Sequence, residues 1–486
     1  MDHRVVTLGP AIHAGLLAEE KHRPELEEHG FPWIDLVYCN LYPLQDEIAK
    51  DDSTLESIIG QTDIGGPTML RSAAKGRRLV IVYPADCDRV LQHLRKGTEK
   101  DKELISYLVA KAEATVANYC LASARYHSDG GYEGFIGERV EKLGYGENRQ
   151  DGGAAFYALL EADDDPLALT HFKRVEGAAP GFINFTDFDR VLKTMTRLSA
   201  TCDANDLSLN IAVGVKHGNP CGTAIGKNSL GVIKAMIDGD SEAIFGGIIA
   251  TNFAITEAEA ELLRNWSMGE GSKRILDGIL APFITPEAIN ILKRKNGACK
   301  MYTNPALEAE ALENLSTTAM QSGKTFRPVR GGFLVQNHPT FVLDMEDERL
   351  KKIGTLTEGQ KGAMLVAQCV AWTSNSNNIS LAQYCAETET AYLIANGNNQ
   401  TKRIAALDLA ISKAKKMGHS VAGSVMASDS FCPFEDVPLR AGEEKIAAGF
   451  IPEKGIRAEQ VFAEFEKQGI SIVSGHDDIC RGFGFH

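Results

Sequence analysis

The sequence lacks the features that assign a protein to the secreted, disulfide-rich or membrane-spanning classes. Its 486 residues include ten cysteines, but these form no CxxC pair and no dense framework, which indicates reduced thiols. The first residues show no basic-then-apolar signal pattern, and no apolar run approaches the about 20 residues needed to span a bilayer. We therefore expect a cytoplasmic protein.

Positive charge is also scarce. Lys and Arg number 51 against 65 Asp and Glu, which gives a formal net charge of -14. Nucleic acids and anionic membranes are bound through basic faces, so we expect neither as a partner. An anionic small molecule would need Lys or Arg placed locally at its site. The length exceeds that of a single hydrophobic core, so two or three domains are expected.

Strand-like and helix-like segments alternate along the chain, which predicts an α/β fold. A long amphipathic helix is predicted over residues 101–126, and the glycine-rich segment 127–139 that follows it predicts a domain boundary. The predicted domains are residues 1–130 and 145–486, and a connector divides the second one near 310–345. Strand-like runs of the second domain lie at 210–215, 243–252, 331–337, 390–397 and 424–430.

The stretch GVKHGNPCGTAIG, residues 214–226, places Lys216, His217 and Cys221 directly after an apolar run. We predict a strand that ends in a glycine-bounded turn before a helix, at the carboxyl edge of a sheet, where open α/β folds bind ligands. A histidine there can move a proton, and a lysine can polarise an oxygen. For an isolated pair, a solvated lysine and a hydrogen-bonded core histidine are the alternative. A zinc site of His217 and Cys221 lacks the further ligands it needs, so no metal site is predicted.

The whole string K-H-x-N-P-C-G resembles the signature of the AICAR transformylase domain in the bifunctional AICAR transformylase/IMP cyclohydrolase family of purine biosynthesis. The resemblance runs from the first residues to the last. It implies a methylglyoxal-synthase-like N-terminal fragment, two cytidine-deaminase-like α/β/α subdomains, and a homodimer with shared active sites. Further stretches match the family in its own order: YGENRQ, FGGIIATN, APFITPEAINILKRKNG, GGFLVQ, SNNISLA, ASDSFCPFED and CRGFGFH.

This resemblance implies formyl transfer from 10-formyltetrahydrofolate to the 5-amino group of AICAR, whose lone pair is delocalised and therefore poorly nucleophilic. His217 would assist deprotonation of the amine, and Lys216 would stabilise charge on the formyl oxygen or protonate the departing folate nitrogen. Asn377 matches the family asparagine that orients the formyl group. The resemblance also allows for a bound monovalent cation. Substrate-binding or folate-binding positions are implied at Asn219, Arg403, Phe431, Asp436 and Arg481.

Residues 395–403, ANGNNQTKR, depart from the family's glycine-rich pattern. They keep Gly397, Gln400 and Arg403 but lose two glycines, and Lys402 replaces a serine. Fewer glycines change how closely the backbone approaches a ligand. This departure motivates a second hypothesis, a catalytically weak paralogue that binds a purine nucleotide or folate as a sensor or scaffold.

The first segment, RVVTLGPAIHAGLLA, resembles the cyclohydrolase pattern R-V-K-T-L-H-P-x-x-H-x-G. It begins almost at the first residue, so we expect a shortened domain without the family's phosphate-cradling glycine loops. The motif lysine and histidine are Val6 and Gly9 here, and a valine supplies no charge. We expect a remnant that packs without chemistry, and the full bifunctional enzyme is the alternative. Residues implicated in ring closure and phosphate binding are matched at Asn40, Tyr42, Asp63 and Lys75.

Overall fold

The computed structural model of the protein describes residues 6–97, 101–148, 150–160, 165–312 and 324–486. The described residues fall into two units, one with the residues up to 138 and 157–160, and the other with 139–156 and the residues from 165 onward. The predicted domain limits remain a prediction. Part of the predicted connector, residues 313–323, lies outside the described chain.

The first unit packs helices around a two-stranded parallel sheet of β1 (Leu36–Tyr38) and β2 (Leu79–Ile81). The helix predicted over 101–126 is α7, and it begins after Asp101, whose carboxylate accepts hydrogen bonds from two amides of the first turn. Strands β3 (Gly137–Lys142) and β4 (Ala155–Leu159) follow in the sequence. The helices are α1 (Pro10–Leu17), α2 (Arg23–Glu28), α3 (Leu44–Ile48), α4 (Leu55–Gln61), α5 (Gly65–Lys75), α6 (Cys87–Lys96) and α7 (Lys102–His127).

The second unit contains a mixed sheet of twelve strands and a separate hairpin of β11 and β12. The sheet order is β13-β18-β17-β16-β14-β15-β7-β6-β8-β9-β10-β5. Its middle is antiparallel, from β16 through β14, β15, β7 and β6 to β8. The strands are β5 (Lys173–Glu176), β6 (Asn210–Lys216), β7 (Asn219–Gly226), β8 (Ile248–Thr251), β9 (Gly278–Ala281), β10 (Lys300–Thr303), β11 (Lys324–Val329), β12 (Gly332–Asn337), β13 (Lys351–Ile353), β14 (Ile379–Cys385), β15 (Thr390–Gly397), β16 (Val425–Ser428), β17 (Ala448–Phe450) and β18 (Ser471–Ser474).

Helices cover both faces of this sheet. Successive residues of a strand point to opposite faces, so neighbouring residues of one strand belong to different buried clusters. Val213 of β6 packs in a buried cluster with α8 and α12, whereas its neighbour Ala212 packs with α9, α10 and α11. On β14, Ala382 joins the first cluster and Leu381 joins a third one with α13, α14 and α15. The predicted α/β class is confirmed. The helices are α8 (Phe182–Asp203), α9 (Ser229–Gly239), α10 (Glu257–Asn265), α11 (Pro286–Leu292), α12 (Glu358–Thr373), α13 (Arg403–Lys416), α14 (Asp436–Glu443), α15 (Ala458–Lys467) and α16 (Asp477–Cys480).

The stretch 214–226 is a β-hairpin, so the prediction of a turn leading directly into a helix is wrong. Lys216 does end β6, but only His217 and Gly218 separate it from β7, and the next helix begins at Ser229. The φ angles of the two turn residues are +51° and +73°. Positive φ at both central residues is what a type I′ hairpin turn requires. The lysine and the histidine therefore sit at the tip of a hairpin.

None of the helices in the described residues combines the length and the apolar character needed to cross a membrane.

Candidate active site

A cavity of about 790 Å³ opens in the second unit, within the size range of small-molecule sites. Its walls come from the loop between α12 and β14, the start of α13, the loop after β16, the start of α14 and the chain after α16. Among the residues that line it are five that the sequence singled out: Asn377, Arg403, Phe431, Asp436 and Arg481.

Asn377 is held against the segment that departs from the family pattern. Its backbone N–H and its side-chain Nδ2 both donate to the carbonyl oxygen of Gln400, at 3.1 and 2.9 Å. The Gln400 N–H donates back to the Asn377 carbonyl at 3.2 Å. This reciprocal pairing fixes the asparagine side chain at the cavity wall, so the loss of two glycines in this segment leaves Asn377 in a defined position.

Arg403, the first residue of α13, forms an ion pair with Asp429 behind the cavity wall. The same guanidinium nitrogen donates to the carbonyl of Asn378 at 3.1 Å. Burial lowers the pKa of the Arg403 guanidinium from its ordinary value. Within the described residues, Arg403 Nε and Asp429 Oδ2 are buried and have no hydrogen-bond partner.

Arg481 reaches the cavity from the chain end and is half exposed. Its Nη1 lies 3.5 Å from Oδ2 of the fully buried Asp477, and Nζ of Lys454 lies 3.8 Å from the same oxygen. The other oxygen of Asp477 accepts a hydrogen bond of 2.8 Å from Ser430. One buried carboxylate thus orients an arginine that remains open to solvent on its cavity side. A guanidinium placed in this way suits a phosphate or carboxylate ligand.

Sequence reasoning missed part of the lining. Phe434 stands three residues after Phe431 in the segment SFCPFED, and Phe483 lies two residues after Arg481. Both residues therefore belong to stretches that the sequence analysis had already matched to the family. Three phenylalanines give the cavity apolar, planar surfaces against which an aromatic ring can pack. The wall also contains the ammonium group of Lys402, directly before α13, and the imidazole of His486.

The tip of the β6–β7 hairpin stands beside this wall. Lys216 Nζ donates to the carbonyl of Phe245 at 2.6 Å, and His217 is exposed. Asn219 accepts a hydrogen bond of 3.2 Å from the N–H of Asn375, two residues before Asn377. Of the described residues that line the cavity, however, none belongs to the hairpin. The structure therefore brings the turn next to the Asn377 loop without placing Lys216 or His217 in the cavity of their own chain.

In the first unit, Asp63 stands at the start of α5. Its Oδ1 accepts from the N–H of Gly66 at 2.8 Å, and its own N–H donates to the Tyr119 hydroxyl at 2.7 Å. Asn40 and Tyr42 are exposed. Lys75 is exposed at the opposite end of α5, roughly 15 Å along an eleven-residue helix. The first unit alone therefore does not bring Lys75 to the Asp63 turn.

The described residues contain no group of three or more His, Cys, Asp or Glu side chains arranged to hold a metal ion. Desolvation raises the pKa of the Cys221 thiol to about 12, so this thiol stays protonated near neutral pH. The monovalent cation allowed by the family resemblance stays an expectation without assigned ligands.

A cavity lined by basic and aromatic side chains on a layered α/β unit is the kind of site that suits a small, anionic, planar ligand. A model of the AICARFT/IMPCHase bienzyme family matches residues 73–413. The bifunctional purine biosynthesis protein PurH of Staphylococcus haemolyticus is 31% identical over 479 residues, which cover 98% of this chain and 87% of that protein. The protein of the same name from Listeria welshimeri is 34% identical over 492 residues, covering 98% and 88%.

Among solved structures, one described as the crystal structure of ForH is 33% identical, covers 26% of this chain and 67% of that chain, and superposes with a TM-score of 0.22. The family match and the relatives together show that the chain belongs to the AICARFT/IMPCHase bienzyme family. The resemblance drawn from its motifs is confirmed.

Proposed function

We propose that the protein is a cytoplasmic formyltransferase of purine biosynthesis, which moves the formyl group of 10-formyltetrahydrofolate to the 5-amino group of AICAR. The products are FAICAR and tetrahydrofolate. The observation that carries this proposal is the single cavity that gathers Asn377, Arg403, Phe431, Asp436 and Arg481. Its basic residues suit the phosphate of the nucleotide and the carboxylates of the folate, and its aromatic residues suit their rings.

In the proposed reaction, the amine nitrogen attacks the formyl carbon, and the carbonyl electrons move onto the formyl oxygen. His217 takes the amine proton, which makes the delocalised lone pair available. Lys216 stabilises the negative oxygen or delivers the proton to N10 of the folate as the C–N10 bond breaks. The Asn377 amide orients the formyl group, and its bonds to Gln400 keep that orientation.

We propose a homodimer in which the Lys216–His217 turn of one protomer serves the cavity of its partner. Two observations support this arrangement. His217 is exposed, and the turn lies beside the cavity wall of its own chain without lining it. A two-fold axis would give each dimer two equivalent composite sites.

The finer architecture is part of the same proposal: a methylglyoxal-synthase-like first unit, and two cytidine-deaminase-like subdomains that share the twelve-stranded sheet. We propose that the first unit has lost cyclohydrolase activity, because Val6 and Gly9 replace a charged and a titratable residue of the motif. The bifunctional enzyme is a second candidate, favoured by the names of the relatives.

The test mixes the purified protein with AICAR and 10-formyltetrahydrofolate, follows tetrahydrofolate release by absorbance, and separates the purine products by chromatography. We expect tetrahydrofolate release together with FAICAR and no enzymatic IMP. IMP formation above the uncatalysed rate would establish the bifunctional candidate. No release of tetrahydrofolate, with AICAR binding intact in calorimetry, would overturn the transferase and support a sensor or scaffold.

A further inference from the structure

Arg190 makes three hydrogen bonds to three separate segments of the chain. It lies on α8 and is only 8% exposed. Its Nε donates to the carbonyl of Gly218 at 2.8 Å, its Nη2 to Oδ1 of Asn375 at 2.9 Å, and its Nη1 to the carbonyl of Gly484 at 2.7 Å. A planar guanidinium can donate in several fixed directions at once, and no other side chain can do this.

Each of these segments carries residues of the proposed site. Gly218 belongs to the hairpin turn with His217, and Asn375 begins the loop that leads to Asn377. Gly484 follows Phe483 and precedes the terminal His486, which both line the cavity. Arg190 is therefore a common anchor for the turn that carries the proposed base and for two parts of the cavity wall.

Two further hydrogen bonds, which do not involve Arg190, hold the same segments together. The N–H of Gly484 donates to the Ser374 carbonyl at 2.7 Å, and the N–H of Gly218 donates to Oδ1 of Asp187 at 2.7 Å. Asp187 precedes Arg190 by one helical turn, so α8 holds the Gly218 residue from both its amide and its carbonyl. The hairpin tip is thus fixed on a buried helix and is not free to move as an isolated loop.

The backbone at Gly484 packs closely against Arg190 and Thr373. A Cβ atom built on Gly484 would lie 2.3 Å from the Thr373 carbonyl oxygen and 2.8 Å from Nη1 of Arg190. Such distances are below van der Waals contact, so the close approach depends on glycine at this position.

We propose that Arg190 is a positioning residue for the reaction: it fixes the His217 turn, which serves the partner's cavity, relative to the Asn375–Asn377 loop and the 483–486 segment of its own cavity wall, and so sets the geometry of both composite sites of the dimer. Arg190 acts through these segments and does not itself touch the substrate. The identity of the reaction rests on the proposed function, whereas the clamp of three segments rests on the hydrogen bonds alone.

Arg197 supplies a matched control. It lies two turns further along α8, is also buried, and donates to the carbonyls of Phe341 and Pro339, which lie outside the cavity wall. Both Arg190→Lys and Arg197→Lys remove a buried guanidinium from the same helix. A purely structural role predicts a lower melting temperature for both variants and no difference in catalysis between them.

The kinetic test compares kcat and KM for AICAR in the two lysine variants and in Arg190→Ala. We expect kcat to fall about 10- to 100-fold in the Arg190 variants, because small misplacements of reacting groups have effects of that size, with KM changed much less. Arg197→Lys should keep kcat within about twofold of wild type. Millimolar guanidinium should restore part of the kcat of Arg190→Ala. Wild-type kcat in Arg190→Lys would overturn the proposal.

Hydrogen exchange gives a readout that does not depend on turnover. In Arg190→Lys, peptides that cover 216–220, 373–378 and 482–486 should all exchange faster than in wild type, whereas in Arg197→Lys they should not. If the wild-type protein shows no turnover, the proposed function fails, and this experiment still decides the clamp. Faster exchange confined to the Arg190 variant supports it, and unchanged exchange in the three segments overturns it.

Discussion

Asn219 and Asn375 are joined by a hydrogen bond of 3.2 Å from the backbone N–H of Asn375 to the side-chain oxygen of Asn219. The amide nitrogen of Asn219 donates back to the carbonyl of His217 at 3.1 Å. One side chain therefore links the turn with the proposed base to the loop that leads to Asn377. This link connects two of the sequence motifs that carry the family resemblance.

Lys216→Ala is expected to lower kcat/KM by about 30- to 1000-fold, which corresponds to a loss of about 2–4 kcal/mol of transition-state stabilisation. The physical reason is the loss of the cation that faces the developing negative charge on the formyl oxygen. The measurement is the rate of tetrahydrofolate release. Lys227→Ala, at an exposed lysine just after β7, is the control and should behave as wild type. Wild-type turnover in Lys216→Ala would remove the lysine from the mechanism.

Mixed dimers should reveal whether the sites are shared. His217→Ala and Asn377→Ala are each expected to be inactive as homodimers. After co-expression, about a quarter of wild-type activity should return, because half of randomly formed dimers are mixed and each mixed dimer contains one intact site. Size-exclusion chromatography with light scattering checks the dimer. Sites built within one chain would show no recovery, and so would a monomer.

The buried pair of Arg403 and Asp429 should be important for stability. Arg403→Met leaves the fully buried Asp429 carboxylate without its cation, and loss of one partner of such a pair costs about 3–5 kcal/mol. The double variant with Asp429→Asn should recover part of that loss. Urea unfolding measures the free energy of unfolding.

The control is Arg440→Met, which breaks ion pairs of a partly exposed arginine with Asp408 and Glu444. Each such pair stabilises the protein by about 1 kcal/mol or less. Equal losses in both single variants would contradict the expectation.

Burial raises the pKa of the Asp187 carboxyl, which predicts a pH dependence of stability. The folded protein holds this proton more tightly than the unfolded chain does, so the carboxyl contributes most when protonated. That contribution is lost as the pH rises from about 3.9, the ordinary value, through the raised pKa of the folded state. Asp187→Asn keeps an oxygen acceptor for Gly218 but does not titrate.

The melting temperature of Asp187→Asn relative to wild type should therefore increase between about pH 4 and the raised pKa, and then stay constant. Thermal unfolding at a series of pH values measures this difference. Asp203→Asn, at the exposed end of the same helix, is the control. A difference between Asp187→Asn and wild type that is independent of pH would show that the carboxyl titrates alike in both states.

Much of the sheet follows from local sequence. The runs at 210–215, 390–397 and 424–430 became β6, β15 and β16, because short apolar segments bounded by turn residues favour buried strands. The hairpin at 214–226 was missed because Gly218, Pro220 and Gly222 together resemble a turn. Two facts of the fold outweigh that signal. The φ angles of His217 and Gly218 reverse the chain within two residues, and β7 pairs with strands on both sides.

The residues around the cavity were predictable where they belong to motifs and unpredictable where they meet through folding. Arg403 and Arg481 were found through the motifs, and both line the cavity. Arg190 carried no such signal, because its three partners lie 28, 185 and 294 residues away along the chain. Only the packing of α8 against the sheet brings those partners to one guanidinium.

Strands β15 and β7 are hydrogen-bonded at the centre of the twelve-stranded sheet, with Ala391 opposite Ile225. A side-chain bond of 2.7 Å from Asn396 to the Pro220 carbonyl crosses the same seam. Hinge closure of one half of the second unit upon the other would have to break this central ladder. Ligand binding in the cavity is therefore not expected to involve closure of one half upon the other, and the two halves should melt in one cooperative transition.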